Sequence, residues 1–389
     1  MKEMRRRDFI KLGSVLAASA GAVQAFPIMD NLPVQNSSAG KSVDFVYDGL
    51  RLSPEEYTEI LFKLADEGKI KSDYYSNGGV VEELEKKFAK WLGKESAVFF
   101  PTGTMANHLA IRLLADKNKR VIVQAESHIY NDSGDCCQNI SGLNLITLGK
   151  DSHTFTLDDV KKVISKTASG RVKTPIGVIS IESPVRRQND RSFGFDRIKE
   201  ISNYARNEGI KLHMDGARLF AEAAHLNRHP SDYAKYFDTV YTSLYKCFNA
   251  ASGAVLAGTK EFTEDLFHIR RMFGGGLPNV WPFAAVALQY IDSYIDDYKS
   301  AWKKAEEFFK LLEQNPKFKI EEFDDGTHIV RLNVKDMDLY EFVQRIRAEN
   351  ISIMGPRPGE KWGGIPLKIN PSLNKISTEK LALIFNNSL

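Results

Sequence analysis

Cysteine is scarce: three residues in 389, with Cys136 and Cys137 adjacent and Cys247 far along the chain. An odd and sparse set implies no disulfide framework, and a bridge between adjacent cysteines would be strained. A Cys136–Cys247 bridge is left open by sequence. No CxxC or HExxH occurs and the eight histidines are scattered, so no metal site is expected. Excess charge is also lacking. Lys and Arg number 53 against 50 Asp and Glu, and the net charge of +3 forms no concentrated basic stripe. That composition gives no footprint for nucleic acid. Beyond the N-terminus no apolar run is long enough to span a bilayer. What remains is 43% hydrophobic and 26% charged, the composition of a large globular chain with ample material for a core.

The N-terminus is distinct. Arg5, Arg6 and Arg7 precede Phe9 and Lys11, and a short apolar run ends in Val23-Gln24-Ala25, small residues at the −3 and −1 positions of a cleavage site. Paired arginines before such a run resemble a twin-arginine export signal. That route carries folded proteins and suits one that acquires a cofactor before leaving the cytoplasm. The alternative is an amphipathic helix of the mature fold. The expected organisation is a signal peptide over 1–25, a flexible linker over 26–42, a large domain over 43–285 and a small C-terminal α+β domain over 286–389. The mature protein is then periplasmic or otherwise extracytoplasmic, with no membrane partner.

From residue 80 a regular alternation begins. Apolar residues at 80, 81, 84, 88, 91 and 92 follow a helical period that Gly93 stops. Seven short apolar runs follow, near 97–100, 121–123, 143–148, 176–181, 211–214, 239–244 and 254–257, most separated by helix-compatible segments. This pattern predicts an α/β fold with a mostly parallel seven-stranded sheet between helices. Ligands of such sheets bind at the carboxyl ends of the strands. After residue 285 the pattern changes to a long helix near 285–314, strand-like 327–334, a helix over 338–349, and apolar runs at 351–355 and 365–370.

Chemistry-bearing residues fall just after the strands. Thr102-Gly103-Thr104 stands where a strand gives way to a helix, either as a plain N-cap or as a cradle for phosphate. His128 follows the next strand, as a hydrogen-bonded loop residue or as a ring that stacks on a planar ligand. Asp215 ends a strand with Arg218 close behind, as a helix cap with an ion pair or as a carboxylate beneath a heterocyclic nitrogen. Lys246 ends the next strand in YTSLYKCFNAASGAVLAG. Alone it is most simply a solvated group; the alternative is a desolvated nucleophile aimed into a cleft. A phosphate cradle, a stacking imidazole, a buried carboxylate and a lysine in that order are what pyridoxal 5'-phosphate needs for its phosphate, ring, pyridine nitrogen and aldehyde. On that reading Lys246 forms the Schiff base.

LGKESAVFFPTGTMANHLA, MDGARLF, SLYKCFNAASGAVLAG and RRMFGGG occur in order, and the chain resembles the threonine aldolase family of pyridoxal-phosphate enzymes, related to β-eliminating lyases and of the aspartate-aminotransferase-like fold. The similarity covers roughly residues 44–290. It implies that Thr102, Gly103 and Thr104 hold the phosphate, His128 stacks on the ring, Asp215 pairs with the pyridine nitrogen, Arg218 lies near the ring oxygen and Lys246 carries the cofactor. It implies a tyrosine near the site, Tyr75, and a homodimer or homotetramer with interfacial sites. The expected reaction is retro-aldol cleavage of a β-hydroxy-α-amino acid to glycine and an aldehyde, with β-elimination, transamination and non-catalytic cofactor binding as alternatives. A water, His128 and Glu182 are candidates for the base.

Departures concentrate around the substrate. The family's Asn-Thr-His run is replaced by IESPVRRQNDRSF, which offers Glu182, Arg186 and Arg187. GGGLPNVWP lacks an arginine that the family carries there. The C-terminal arginine that binds the substrate carboxylate has Lys368 as its nearest match. YDGLRLSP stands where the family has Ser-Asp-Thr, bringing Asp48 and Arg51 into consideration.

Overall fold

The computed structural model describes residues 43–355 and 364–389. The expected signal peptide and linker, 1–42, lie outside the described residues. No helix among the described residues is long and apolar enough to cross a membrane.

Seven strands form the central sheet: β2 (Ser96–Phe100), β3 (Arg120–Gln124), β4 (Asn144–Leu148), β5 (Ile176–Glu182), β6 (Lys211–Asp215), β7 (Thr239–Ser243) and β8 (Ala254–Gly258), in the order β2-β8-β7-β6-β5-β3-β4. β8 runs antiparallel to both its neighbours, while β4, β3, β5, β6 and β7 pair in parallel. The fold is therefore the α/β architecture read from the seven apolar runs. The innermost strands are fully buried because helices cover both faces. The helix α3 (Gly103–Ala115) packs across β5 to β8. On the other face α2 (Gly79–Leu92) presents Val80, Val81, Leu84, Phe88 and Leu92 to the core, and it ends at Gly93 in the left-handed region, φ 60°. That conformation is the reason for a glycine there.

β5, β6 and β7 end side by side. Glu182 is in register with Asp215, and Asp215 with Tyr241. Strand order reverses between β3 and β5, so a crevice opens outside these carboxyl ends.

A second core is built from α4 (Tyr294–Leu312), the antiparallel strands β9 (Phe318–Glu322), β10 (Ile329–Val334) and β12 (Ile365–Lys368), and the helices Leu339–Ala348 and Thr378–Asn387. The long helix expected over 285–314 is two helices, Trp281–Ile291 and Tyr294–Leu312, broken at Asp292–Ser293. α4 spans both cores, with Tyr294 and Tyr298 in the first and Ala301, Ala305, Phe308 and Leu312 in the second. β9 was not foreseen, because FKIEE carries too few apolar residues to show a strand period.

The N-terminal segment joins this second core. β1 (Val43–Asp44) pairs in parallel with β11 (Ile351–Ser352), and Phe45 packs against Phe308 and Phe385 at ring-centroid distances of 6.3 and 6.1 Å. The chain then crosses to the first core through α1 (Pro54–Asp66), which Ser53 and Glu56 open with a reciprocal capping box. Phe45 is fully buried, so Phe45→Ala should cost about 3–5 kcal/mol. Urea denaturation is the measurement; an unchanged midpoint would mean that this segment is not docked as described.

Candidate active site

A cavity of about 210 Å³ opens at the carboxyl ends of β2, β3, β5, β6 and β7, and its lining includes Thr102, Gly103, Thr104, His128, Glu182, Arg186, Asp215, Arg218 and Lys246. Nine residues singled out in the sequence thus meet at one place. Tyr75 and Lys368 are not among its lining.

Thr102 caps α3, its Oγ1 accepting from the Met105 N–H at 3.3 Å. The remaining first-turn N–H groups and the Thr104 hydroxyl sit at the positive end of the helix, which favours an anion. Gly103 has a further reason to be glycine: a Cβ there would lie 2.0 Å from the Tyr241 hydroxyl. Tyr241 is buried and itself lines the cavity.

Asp215 is 4% exposed at the end of β6. Asn107 Nδ2 donates to its Oδ2 at 2.7 Å, and the Ala217 N–H donates to its Oδ1 at 3.2 Å. Because a carboxylate only accepts, the Asn107 amide is oriented with its oxygen toward His213 Nε2, 2.8 Å away. His213 Nε2 then donates and its Nδ1 accepts from Thr239 Oγ1 at 2.9 Å. Burial pushes the His213 pKa down to about 4, consistent with this neutral tautomer. Sequence reasoning missed Asn107 and His213. The available signal was a polar side chain beside apolar residues: Asn107 after Met105-Ala106 on α3, and His213 between Leu212 and Met214 on β6.

Lys246 follows β7, half-buried where the chain leaves the sheet. Burial and then the Arg218 guanidinium push its pKa down to about 8. A larger fraction of its amine is therefore neutral near physiological pH than for a surface lysine. His128 stands across the cavity, and burial lowers its pKa below the ordinary imidazole value. Its Nδ1 is 3.6 Å from Asp132. Glu182 fixes the His128 loop: its Oε2 accepts from the His128 N–H at 2.5 Å and its Oε1 from the Arg186 N–H at 2.9 Å. Burial and the nearby Asp215 push the Glu182 pKa up to about 8, against these two donors.

Arg186 pairs with Asp132 at 2.6 Å, and Arg187 joins the same carboxylate at 3.1 Å. The loop behind them is held by Glu222, which accepts from Ser183 Oγ at 2.7 Å and Ser192 Oγ at 2.6 Å.

Arg218 and Lys368 belong to a buried ion cluster. Arg218 Nε donates to Asp48 Oδ1 at 2.8 Å, and its Nη1 is 3.5 Å from Asp190. Lys368 Nζ lies 2.8 Å from Asp48 and 3.0 Å from Asp190, with His328 3.3 and 3.4 Å from the same two carboxylates. Asp48 stays well below the usual carboxylate range, because these cations outweigh its desolvation. Lys368 was expected to be available to a substrate carboxylate; its ammonium is instead held by two aspartates. Asp48, Asp190 and His328 lie close enough together to suggest a cation site, and the Lys368 ammonium supplies the cation there.

Tyr75 is turned elsewhere. Its ring lies under the Arg271 guanidinium, 4.4 Å from centroid to Cζ, and its N–H donates to the Pro278 carbonyl at 2.9 Å. The three cysteines are free and buried.

Beside Lys246 lies a second, larger chamber of about 580 Å³, whose walls include Tyr47, Asp48, Arg51, Tyr57, Asn249 and Ala250, and which shares Tyr245 and Lys246 with the first.

The beta-eliminating lyase family model matches residues 67–335. The chain belongs to that family. It is 24% identical over 272 residues to low-specificity L-threonine aldolase 1 of Arabidopsis thaliana, covering 69% of this chain and 75% of the relative. It is 26% identical over 306 residues to the low-specificity L-threonine aldolase of Saccharomyces cerevisiae, covering 77% and 78%. Among solved structures, a Listeria monocytogenes protein assigned as an L-allo-threonine aldolase is 28% identical with a TM-score of 0.74, over 90% of this chain and 97% of that one. The fold is also shared with a Sphingomonas wittichii serine palmitoyltransferase, 16% identical with a TM-score of 0.65 over 98% and 96%.

The donor set of the cavity fits pyridoxal 5'-phosphate: an anion-binding helix start, a buried carboxylate fixed in orientation, an imidazole and a half-buried amine of lowered pKa. The state of that amine is measurable. Acylation of Lys246 by an amine-selective reagent, followed by peptide mass spectrometry, should rise with pH about a midpoint near 8, whereas exposed lysines titrate about two units higher. A Lys246 midpoint matching the exposed lysines would remove the basis for its activation.

Proposed function

We propose that the protein is a pyridoxal-phosphate-dependent lyase that cleaves threonine-like β-hydroxy-α-amino acids to glycine and an aldehyde. The observation that carries this reading is the single cavity in which Lys246, Asp215, His128 and the Thr102–Thr104 helix start converge. The threonine aldolase relatives support the reaction class.

Pyridoxal phosphate, when bound, supplies an electron sink for the pair released as the Cα–Cβ bond breaks. The chain's own residues do the rest. The α3 N-terminus and Thr104 would hold the phosphate. Lys246 offers an amine whose neutral fraction at pH 7 exceeds that of a surface lysine, so less free energy is needed to deprotonate it for attachment and exchange. With the cofactor bound, Asp215 would be the carboxylate to pair with its pyridine nitrogen and hold a proton there. The Asn107–His213–Thr239 chain fixes the Asp215 carboxylate, so no reorientation is needed as charge develops. His128 is neutral at pH 7 and accepts a proton at a ring nitrogen, which makes it the side chain best suited to take the β-hydroxyl proton directly or through water. Glu182 holds the His128 loop in place through its two backbone hydrogen bonds.

Incubation of the cofactor-loaded protein with L-threonine, L-allo-threonine, their D-forms, phenylserine and serine should yield glycine and the matching aldehyde, read by proton NMR. Lys246→Ala should abolish turnover. A keto acid with ammonia would replace this reading with β-elimination.

We also propose a homo-oligomer. Tyr74 and Met272 are each 76% exposed and flank Tyr75 and Arg271, which are in mutual contact. Such a patch suits contact with a second copy, in keeping with the interfacial site that the family resemblance implies. The division into a large domain over 43–285 and a small one over 286–389 remains our reading of the sequence. So does export. Arg5, Arg6 and Arg7 before an apolar run ending at Ala25 support twin-arginine transport to the periplasm. N-terminal sequencing of protein recovered from that compartment should begin at Phe26; an intact Met1 there, or protein confined to the cytoplasm, would refute the leader.

A further inference from the structure

Three arginines line the two chambers that meet at Lys246: Arg186 and Arg218 in the first, Arg51 in the second. An amino acid whose amine takes the place of the Lys246 amine on the cofactor would carry its carboxylate one carbon from that nitrogen, so that group must meet a cation close to Lys246. Arg218 is committed to Asp48 at 2.8 Å and to Asp190 at 3.5 Å, and it is only 7% exposed. Lys368 is committed to the same two aspartates. Two buried cations facing two buried anions leave no net charge to attract a carboxylate. Arg186 is held by Asp132 through a 2.6 Å hydrogen bond on the His128 side.

Arg51 differs. Its side chain is 43% exposed, and its contact with Asp44 is 3.7 Å, beyond hydrogen-bond reach. Its guanidinium stacks 4.6 Å above the Tyr47 ring, which directs it without consuming its donors. Its backbone is in the left-handed region, φ 48°, a conformation that costs a non-glycine residue energy and is retained where the surroundings impose it. Those surroundings are the Lys246 turn. A Cβ on Gly49 would lie 2.4 Å from the Lys246 carbonyl oxygen and 2.3 Å from Asn249 Oδ1, and the Leu50 N–H donates to that same Oδ1 at 2.7 Å. Arg51 thus projects from a segment pressed onto the backbone of the reactive lysine, beside the larger chamber.

We propose that Arg51 is the receptor for the substrate's α-carboxylate, a role that neither Arg218 nor Lys368 is free to perform here. This rests on the proposed amino acid chemistry at Lys246 and adds the residue that selects for the acid group. A planar guanidinium with free donors binds a carboxylate in a two-point pair. Substrates of this site are therefore α-amino acids with a free carboxylate, not the corresponding amides or simple amines.

The test uses the cofactor-loaded full-length protein and the visible absorbance of its bound pyridoxal phosphate, titrated with glycine and with glycinamide. Wild type should bind glycine more tightly than glycinamide. Arg51→Gln should weaken glycine by about tenfold or more and leave glycinamide unchanged, the loss expected for one charge-assisted pair. Arg51→Lys should restore part of the preference. In turnover, Arg51→Gln should raise KM much more than it lowers kcat. Arg186→Gln should keep the preference for glycine. Retention of that preference in Arg51→Gln, or its loss in Arg186→Gln, overturns the assignment while the lysine chemistry stands. A wild type whose absorbance responds to neither compound overturns both. An unchanged cofactor band and circular dichroism in Arg51→Gln separate a binding defect from misfolding.

Discussion

Two aspartates and two cations buried between the cores hold the site together. Asp48 comes from the N-terminal segment, Asp190 from the loop after β5, Arg218 from the end of β6, and Lys368 from the end of β12. Each belongs to a different part of the chain, and each is at least nine-tenths buried. Burial of a single member would be prohibitive, whereas the four together are neutral: Arg218 and Lys368 hydrogen-bond Asp48 and ion-pair with Asp190. Removing one partner from such a set typically costs about 3–5 kcal/mol, because an uncompensated charge stays behind. The cluster therefore acts less as a source of net stability than as a register device. It draws the second core, the N-terminal segment and the cavity wall to one point.

This explains an asymmetry in what the sequence revealed. The cofactor half was legible because its residues are local. Thr102, His128, Asp215 and Lys246 each follow one strand, and a parallel sheet aligns strand ends without further information. Seven apolar runs gave the sheet, and the sheet gave the convergence. The substrate half is not local. Whether Lys368 is free depends on Asp48, far away at the other end of the chain, and on Asp190 in a loop that no periodicity describes. Sequence showed that these positions depart from the family pattern, but not that the departures neutralise one another.

The same distinction applies to Asp215. Its place at the carboxyl end of a strand could be read from the MDGAR segment, and the cavity opens there. The chain that orients it could not. Asn107 reads as one polar residue in a helix and His213 as one in a strand. Their pairing needs α3 to lie across β6, a packing fact. Once it does, hydrogen-bond chemistry leaves a single arrangement: a carboxylate that only accepts, an amide turned to serve it, and an imidazole left with one donor and one acceptor.

Glu182 shows how the altered loop remains compatible with an intact cofactor site. The IESPVRRQNDRSF segment has no histidine to offer the substrate. Its first carboxylate turns inward to the His128 and Arg186 N–H groups, and its later aspartate joins the ion cluster. Both acids thus serve the architecture of the site and not the substrate. The loop brings three arginines with them: Asp132 engages Arg186 and Arg187, and Arg191 donates to the Asp324 carbonyl oxygen, away from the chamber lining. The charge that this loop brings to the chamber, on Arg186, is therefore matched within the protein by Asp132. Selectivity for an acidic group must then come from outside the loop, and the N-terminal segment is the remaining wall of the chamber that carries an incompletely matched charge.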